Sequence, residues 1–383
     1  VTKERAMAEI EREAMEYDVV IVGAGPAGLM AGLTAVRAGK RVMLVDEGTE
    51  PGGSFLSRNQ QVNDKPALDW VAEVTTELAA NPNVIHLQNA TVWGYREHNY
   101  LMVNERAPEH LGILERNWRV RAAHVITATG SIERTMVFGN NDRPGVMLAS
   151  AAQTYVNRYA TRPGTRAVIF TNNNSAYTVA ADLSAAGIEI AAIIDSRDTV
   201  PDVARAIVGA VKIHAGHVVT TTTGHKHIKA AVITPRNGGD PITIPCDLLA
   251  HSGGWNPAVH LFSQSRGTLK CDESAATFLP DQPAQAVTHA GGFSLDTALQ
   301  SGTDAAATAL NIPVLSPPSA TDLPYAIEPL WRVENSTGKA FLDIQNDVTV
   351  DDVHLAIREG YSNVEHVKRY TTGGMGLDQG KTG

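Results

Sequence analysis

Cysteine is nearly absent. The 383-residue chain has two, Cys246 and Cys271, and they form neither a CxxC nor a CxxxxC pair. A disulfide framework or a cysteine-ligated iron–sulfur or zinc centre is therefore not expected, and a reducing cytoplasm is the expected location. Both thiols should be plain buried or half-buried side chains. Positive charge is also short: 32 Lys and Arg stand against 41 Asp and Glu, a net charge of −9. That balance argues against the basic face nucleic acid requires, so no such partner is expected. No HExxH, GxSxG or Cys/His nucleophile pattern occurs, nor a short-period repeat or low-complexity tract. His225 and His227 in "GHKHIK" would share one face of a strand. No third ligand stands near them in sequence, so they read as surface histidines and no metal site is assigned.

A signal-type apolar core is missing from the N-terminus. One uncharged stretch, 19–36, is long enough to suggest a membrane span. Five of its residues are Gly or Pro (Gly23, Gly25, Pro26, Gly28 and Gly32), so a buried strand and helix is the better reading, and no membrane partner is expected. The chain opens on Val1 and closes on "GKTG", as a piece of a longer protein would.

What is present is a globular composition, 43% hydrophobic and 19% charged, over a length that allows two or three domains. A charged helix is expected over 2–16, then a β-α-β unit over 18–47. A helix is expected over 68–80 and strands over 84–92. "HVITATG" (124–130) reads as a buried strand ending in a glycine turn, a form repeated by "CDLLAHSGG" (246–254). A second β-α-β unit spans 168–195, hairpin-like strands span 230–244, and a glycine turn leads into a helix over 290–310. Pro313, Pro317, Pro318 and Pro324 mark a linker. Two short helices follow, with capping-box spacing at Thr349 and Asp352 and at Ser362 and Glu365, and Gly360 as a stop between them. The expected organisation is an N-terminal helix (1–16), a discontinuous dinucleotide-binding domain (17–160 and 266–311), an inserted second Rossmann-like domain (161–265), a linker (312–340) and a C-terminal helical subdomain (341–383).

The motif with chemistry is "GAGPAG", placed after a strand and at the opening of a helix. Gly23 permits the tight turn, Gly25 lets a pyrophosphate approach the backbone, and Gly28 lets helix and strand pack closely. Pro26 and Ala27 complete the loop, whose helix-start amides would face phosphate. Asp46, 23 residues after Gly23, ends the next strand and is placed to accept from ribose hydroxyls, with Glu47 as its neighbour. An acid there disfavours a 2′-phosphate, so NAD or FAD fits better than NADP. In the second unit a shift of 148 puts Thr171, Asn173 and Ala176 on the three glycine positions. Side chains at the first two crowd a phosphate and disfavour unusual backbone angles. The expectation is one dinucleotide and not two. Arg134 and Arg143, flanking "NNDRPG", suit phosphate contact or ordinary salt bridging equally.

These features resemble the two-dinucleotide-domain flavoprotein fold of glutathione and thioredoxin reductases. Longer stretches, "ATGSIERTMVFGNNDRPGVMLASA", "SGGWNPAVHLFSQSRG" and "DIQNDVTVDDVHLAIREGYSNVEHVKRYTT", resemble the α subunit of heterotetrameric sarcosine oxidase. The resemblance implies oxidative demethylation of sarcosine, with the amine-oxidising FAD in a β subunit, smaller subunits alongside, and a covalent FMN at the α/β interface. It also implies NAD in the α subunit, held where reductases hold FAD, and no catalytic acid or base in this chain. Gly53, Ser54, Thr91, Val92, Thr129, Gly130, Gly291, Gly292 and Leu295 join the expected dinucleotide contacts. Gly292 stands where reductases carry a flavin-binding Asp, which weakens the case for FAD. Lys368, Arg369, Thr371 and Thr372 in "EHVKRYTTGGMG" read alone as a solvated basic helix end; the resemblance makes them candidate FMN-phosphate contacts, with Gln379 and Lys381 close behind. The family's ferredoxin-like and folate-binding regions are not in this sequence, so folate chemistry is not expected of it alone. Two other readings stay open: a self-sufficient FAD-dependent reductase, and a non-catalytic scaffold.

Overall fold

A computed structural model describes residues 14–106 and 112–381, with the side chains of 14–16 excepted. Most of the helix expected over 2–16 lies outside these residues, and its end is instead the start of strand β1 (Ala14–Val22). The chain divides into two compact units. The first holds the residues up to Ser131, Pro257–Asp272 and Thr277–Asp322. The second holds Ile132–Asn256, Glu273–Ala276 and Leu323–Gly383.

In the first unit β1 runs into helix α1 (Pro26–Arg37) and strand β2 (Val42–Val45). After helix α2 (Ala67–Ala79) come β3 (Val84–Leu87), β4 (Ala90–Arg96), β5 (Tyr100–Arg106) and β6 (Glu115–Thr127). The sheet order is β3-β2-β1-β6-β5-β4, with Val287–His289 beside β6. The strands β3, β2, β1 and β6 are parallel, and the β6-β5-β4 meander is antiparallel. Alternation in β1 divides the core. Val19 and Ile21 face α1, α2 and the helix Leu295–Leu310, while Val20 and Val22 face the cluster of Trp118, Val103 and Phe262. Period-two burial on both faces is what a central parallel strand requires. The stretch 19–36 is thus a strand and a helix, and no helix among the described residues is long and apolar enough to cross a membrane.

The second unit has a parallel sheet in the order β7-β14-β8-β9-β10, made of β7 (Val146–Leu148), β8 (Arg166–Thr171), β9 (Glu189–Asp195), β10 (Ile213–Ala215) and β14 (Leu248–Ser252). Helices α3 (Ala149–Asn157) and α4 (Ser175–Ala185) cover one face with Ile169 and Leu183. The antiparallel sheet of β11 (His217–Gly224), β12 (Ile228–Pro235) and β13 (Ile242–Pro245) covers the other with Phe170 and Ile233. The division between units falls at Ser131 and Pro257, not near 160 and 266. The reason is that β7 pairs with β14, and α3 packs beside α4.

Local differences have local causes. His225 and His227 lie in the turn between β11 and β12, not on a strand. Cys246 is buried, and burial pushes its thiol up to about 11, but Cys271 on an edge hairpin is exposed. The final pair of helices is α5 (Val350–Arg358) and α6 (Val364–Thr371). Thr349 and Asp352 form the expected capping box. The second helix is capped by Asn363, whose side chain accepts the Glu365 amide at 2.9 Å, and not by Ser362. Gly360 ends α5 with φ +97°.

His251 on β14 is buried; its Nδ1 accepts the Met136 amide at 3.1 Å and its ring stands edge-on to Phe138. Burial pushes its pKa from 6.5 down to about 4. Between those values the unfolded chain binds the extra proton, so stability is lost as pH falls through the window. One such group is worth a slope of about 1.4 kcal/mol per pH unit there. Urea unfolding of the second unit at stepped pH should show this slope, and His251→Gln should flatten it by about that amount.

Candidate dinucleotide site

The three loop glycines are bare for different reasons. Gly23 has φ +109°, and a Cβ there would stand 2.2 Å from the Ala128 carbonyl oxygen. A Cβ on Gly28 would stand 1.8 Å from the Gly23 carbonyl oxygen. Both are therefore demanded by the protein's own packing. Gly25 is not: its φ of −77° and ψ of −173° suit any residue, and its nearest neighbour would be the Gly53 Cα at 3.8 Å. The missing side chain leaves a cradle at the start of α1, where the first helical amides have no carbonyl one turn back. Gly53 walls the cradle with φ +53°, and a Cβ on it would lie 2.7 Å from the Gly25 Cα. Backbone hydrogen bonding ties the two segments, the Gly52 amide donating to the Ala24 carbonyl at 2.8 Å. These residues fit a pyrophosphate.

Asp46 closes the other side. Its carboxylate accepts the Ala24 amide at 2.5 Å and the Gly48 amide at 2.7 Å, fixing the end of β2 against the glycine turn. Each oxygen keeps a second lone pair for a ribose hydroxyl. Glu47 is exposed. His86 and Gln88 escaped notice in the sequence because they belong to no motif. Burial lowers the His86 pKa, against the pull of the Asp46 charge. Gln88 Nε2 lies 2.6 Å from His86 Nε2, and its buried Oε1 has no hydrogen-bond partner.

The other expected contacts are placed unevenly. Ser54 is half-buried, Thr91 is exposed, and Val92 points into the sheet core. Thr129 donates to the Ala258 carbonyl at 2.6 Å, and Gly130, at φ +69°, has open space where a Cβ would be. The Gly291 amide donates to Ser301 at 3.1 Å. A Cβ on Gly292 would meet Thr297 Oγ1 at 2.3 Å and the Ala298 amide nitrogen at 2.8 Å, so no Asp fits this turn as it stands. The Leu295 amide is already given to Asp322 at 2.8 Å, at a helix start closed by the Ser294 and Thr297 capping box. Nearby, His289 contacts Thr127 and is pushed to about 4 by burial, so it is neutral at pH 7.

The second unit corrects the expected register. Val22 pairs with Thr127 and Thr171 with Ser252, and the following helices begin at Pro26 and Ser175. The correspondence is a shift of 149, because strand ends and helix starts set it where no glycine marks the loop. The glycine positions are therefore Asn172, Asn174 and Tyr177, not Thr171, Asn173 and Ala176. Tyr177 is wholly buried in the place of Gly28, and its hydroxyl donates to Asp195 at 2.7 Å. Asp195 also holds Arg197 through Nε at 2.9 Å and Nη2 at 2.7 Å. Asn173 Oδ1 accepts the Ser175 amide at 3.0 Å, capping α4 from within the loop. Arg134 and Arg143 turn to carbonyls: Arg134 to Gly253 and Ala276, each at 2.9 Å, and Arg143 to Thr222.

At the C-terminus a cleft of about 410 Å³ is lined by Lys368, Arg369, Gly374, Gly376 and Gln379, with Glu365 opposing any anion. Thr371 and Thr372 do not line it. Their hydroxyls donate to the Val367 and Thr371 carbonyls. Lys381 is exposed. No cluster of metal-ligating side chains occurs among the described residues.

Two β-α-β units, one with an open glycine cradle, define a two-dinucleotide-binding-domain fold of the thioredoxin reductase type with a small C-terminal helical segment. The chain belongs to the pyridine nucleotide-disulphide oxidoreductase family, whose model matches residues 17–287. The sarcosine oxidase A3 domain matches residues 337–383. The chain is homologous to the sarcosine oxidase subunit alpha of Rhizobium meliloti (strain 1021), 40% identical over 97% of this chain and 39% of that one. It spans about two fifths of the length of the sarcosine oxidase relatives it matches. Among solved structures, L-proline dehydrogenase from P. horikoshii shares the fold at a TM-score of 0.71 and 20% identity, covering 98% of this chain and 73% of that one. T. acidophilum thioredoxin reductase does so at 0.60 and 17%, covering 77% and 97%.

Two substitutions separate ligand from packing. Gly25→Ala should fold and lose affinity for the dinucleotide by about tenfold or more, about 1.4 kcal/mol. Gly28→Ala should fail to fold stably; a stable Gly28→Ala chain, or a Gly25→Ala chain with full affinity by calorimetry, contradicts the assignment. Asp46→Asn should weaken binding by about 1.5–3 kcal/mol, the range for a hydrogen bond to a charged group.

Proposed function

We propose that the chain is the NAD-binding core of an α subunit in a sarcosine-oxidase-type complex. Amine oxidation belongs to a flavin-bearing β-subunit partner, smaller subunits complete a heterotetramer, and the assembly is cytoplasmic. The observation that carries the NAD assignment is the Gly25 cradle, bare without any packing reason and closed by Asp46. The acid favours an unmodified ribose over a 2′-phosphate. Gly292, held too close to Thr297 to carry an acid, supports NAD over FAD.

The dinucleotide, when bound, would supply a redox-capable nicotinamide. This chain's own residues bind and orient it, and none is assigned as acid or base. Lys368 and Arg369 would hold the phosphate of an interface FMN, with Gln379 beside them; Thr371 and Thr372 would contribute backbone only. The resemblance over nearly the whole chain supports sarcosine as the substrate of the complex.

Denaturing the purified protein and identifying what it releases tests this reading. One NAD per chain and no flavin absorbance is expected. One FAD per chain would make it a self-sufficient flavoprotein, and no nucleotide at all would make it a scaffold. Calorimetric titration of the loaded protein with NADPH should show no second saturable event at micromolar affinity.

A further inference from the structure

The stretch after the helix Leu295–Leu310 is proline-rich and reads as a linker, yet from Leu323 onward it is hydrogen-bonded along the second unit. It crosses the degenerate glycine loop first. The Ala326 carbonyl accepts the Asn174 amide at 3.1 Å and Arg197 Nη1 at 3.1 Å. The Pro324 carbonyl accepts Asn174 Nδ2 at 2.8 Å. The Glu328 amide donates to the Asn172 carbonyl at 3.0 Å, and Ile327 bridges Asn173 in antiparallel fashion.

The Asn174 amide is the cap position of α4, the counterpart of Gly25. An anion at such a helix start takes its hydrogen bonds from that amide and from a nearby cation. Here both donors serve one carbonyl oxygen of the chain itself. Arg197 is aimed at it by a two-point grip from Asp195 and by Asn174 Oδ1 at 2.8 Å, and all three side chains are buried. The ribose acid and the phosphate donors of the second unit are thus both spent internally.

The same segment continues along the unit. The Val333 amide donates to the Val137 carbonyl at 2.9 Å, and the Asn140 amide to the Lys339 carbonyl at 2.7 Å. Asn141 bonds Phe341 through both its amide nitrogen and its oxygen, each at 2.9 Å. A Cβ on Gly139 would stand 2.0 Å from the Thr337 carbonyl oxygen, so the backbones touch there. Phe341 opens the module that carries α5 and α6.

We propose that the second dinucleotide unit is a peptide clasp. Its phosphate-binding donors hold residues 324–328 as a permanent internal ligand, and this strap fixes the C-terminal module on the second unit. The strap also competes intramolecularly with any nucleotide, at an effective concentration that a free ligand does not match. The clasp does not depend on which dinucleotide the first unit holds.

Hydrogen exchange of the full chain, read by mass spectrometry, tests it. In the unaltered protein, the Glu328 amide and the peptide covering 172–177 should exchange at least about 100-fold slower than an unstructured chain. Millimolar NADPH should leave those rates unchanged. Glu328→Ala loses the ion pair to Arg236 but keeps the amide, and should leave protection in place. Glu328→Pro removes the amide donor and should speed exchange in 172–177 and 333–341 by about tenfold or more, with β1 and α1 unaffected. Should Glu328→Pro not fold, Asn174→Ala, which deletes the side-chain bonds to Pro324 and Arg197, should speed the same peptides by about threefold or more. An unprotected Glu328 amide in the unaltered protein, a folded Glu328→Pro chain with unchanged rates in 172–177, or NADPH-dependent protection of 172–177 would each overturn the clasp.

Discussion

The start of an α-helix leaves backbone amides that have no carbonyl one turn back, and something has to accept from them. Both β-α-β units of this chain place such a start at the carboxyl end of a central parallel strand, where the fold brings it close to the end of the next strand. The two units meet the demand in opposite ways. In the first, Gly25 keeps the space before α1 clear, and the chain supplies a wall at Gly53 and an acid at Asp46. In the second, Asn173 caps α4 and the Ala326 carbonyl takes the Asn174 amide. One unit is left to be completed by a ligand; the other completes itself.

The acids that end the second strand of each unit follow the same division. Asp46 is half-buried, bonded to two amides, and retains lone pairs on the open side. Asp195 is wholly buried and pairs with Arg197 and Tyr177. Burial opposes the Arg197 charge, and the bonds and charge of Asp195 outweigh it, so its pKa is raised. Losing one partner of a buried pair like this costs about 3–5 kcal/mol, since the other charge is stranded. The second acid is therefore structural, which is why a β-α-β unit without glycines keeps its strands, its helix and even its carboxylate.

The C-terminal cleft shows how far a basic helix end goes toward a site. Lys368 and Arg369 lie in the last turn of α6, where cations are favoured by the helix dipole. The loop that follows is tied back by Asp343, which accepts the Gly374 amide at 2.8 Å. That tie brings Gly374 and Gly376 up to the two cations and turns the cluster into a cleft. The neighbouring Thr371 and Thr372 hydroxyls are already given to the Val367 and Thr371 carbonyls.

Sequence by itself determined the two β-α-β units, the helices over 68–80 and 290–310 and the two short C-terminal ones, the glycine cradle and Asp46. Each rests on local physics: alternating or continuous burial, positive φ, and the spacing from a glycine turn to the next strand end. Longer stretches such as 128–151 and 343–372, by resemblance, were enough for the kinship with sarcosine oxidase alpha subunits. Only the tertiary structure decided the rest. The register of the second loop depends on which strand ends lie level, and Thr171, Asn173 and Ala176 yielded to Asn172, Asn174 and Tyr177 because no glycine anchored them. That Gly292 is bare for Thr297 and Leu295 is engaged by Asp322 are contacts between segments distant in sequence or folded back on themselves. The proline-rich stretch read as a linker because prolines reject helix and sheet interiors. Its carbonyls remained good acceptors, and only folding could bring Ala326 to the two donors, 152 and 129 residues earlier, that it satisfies.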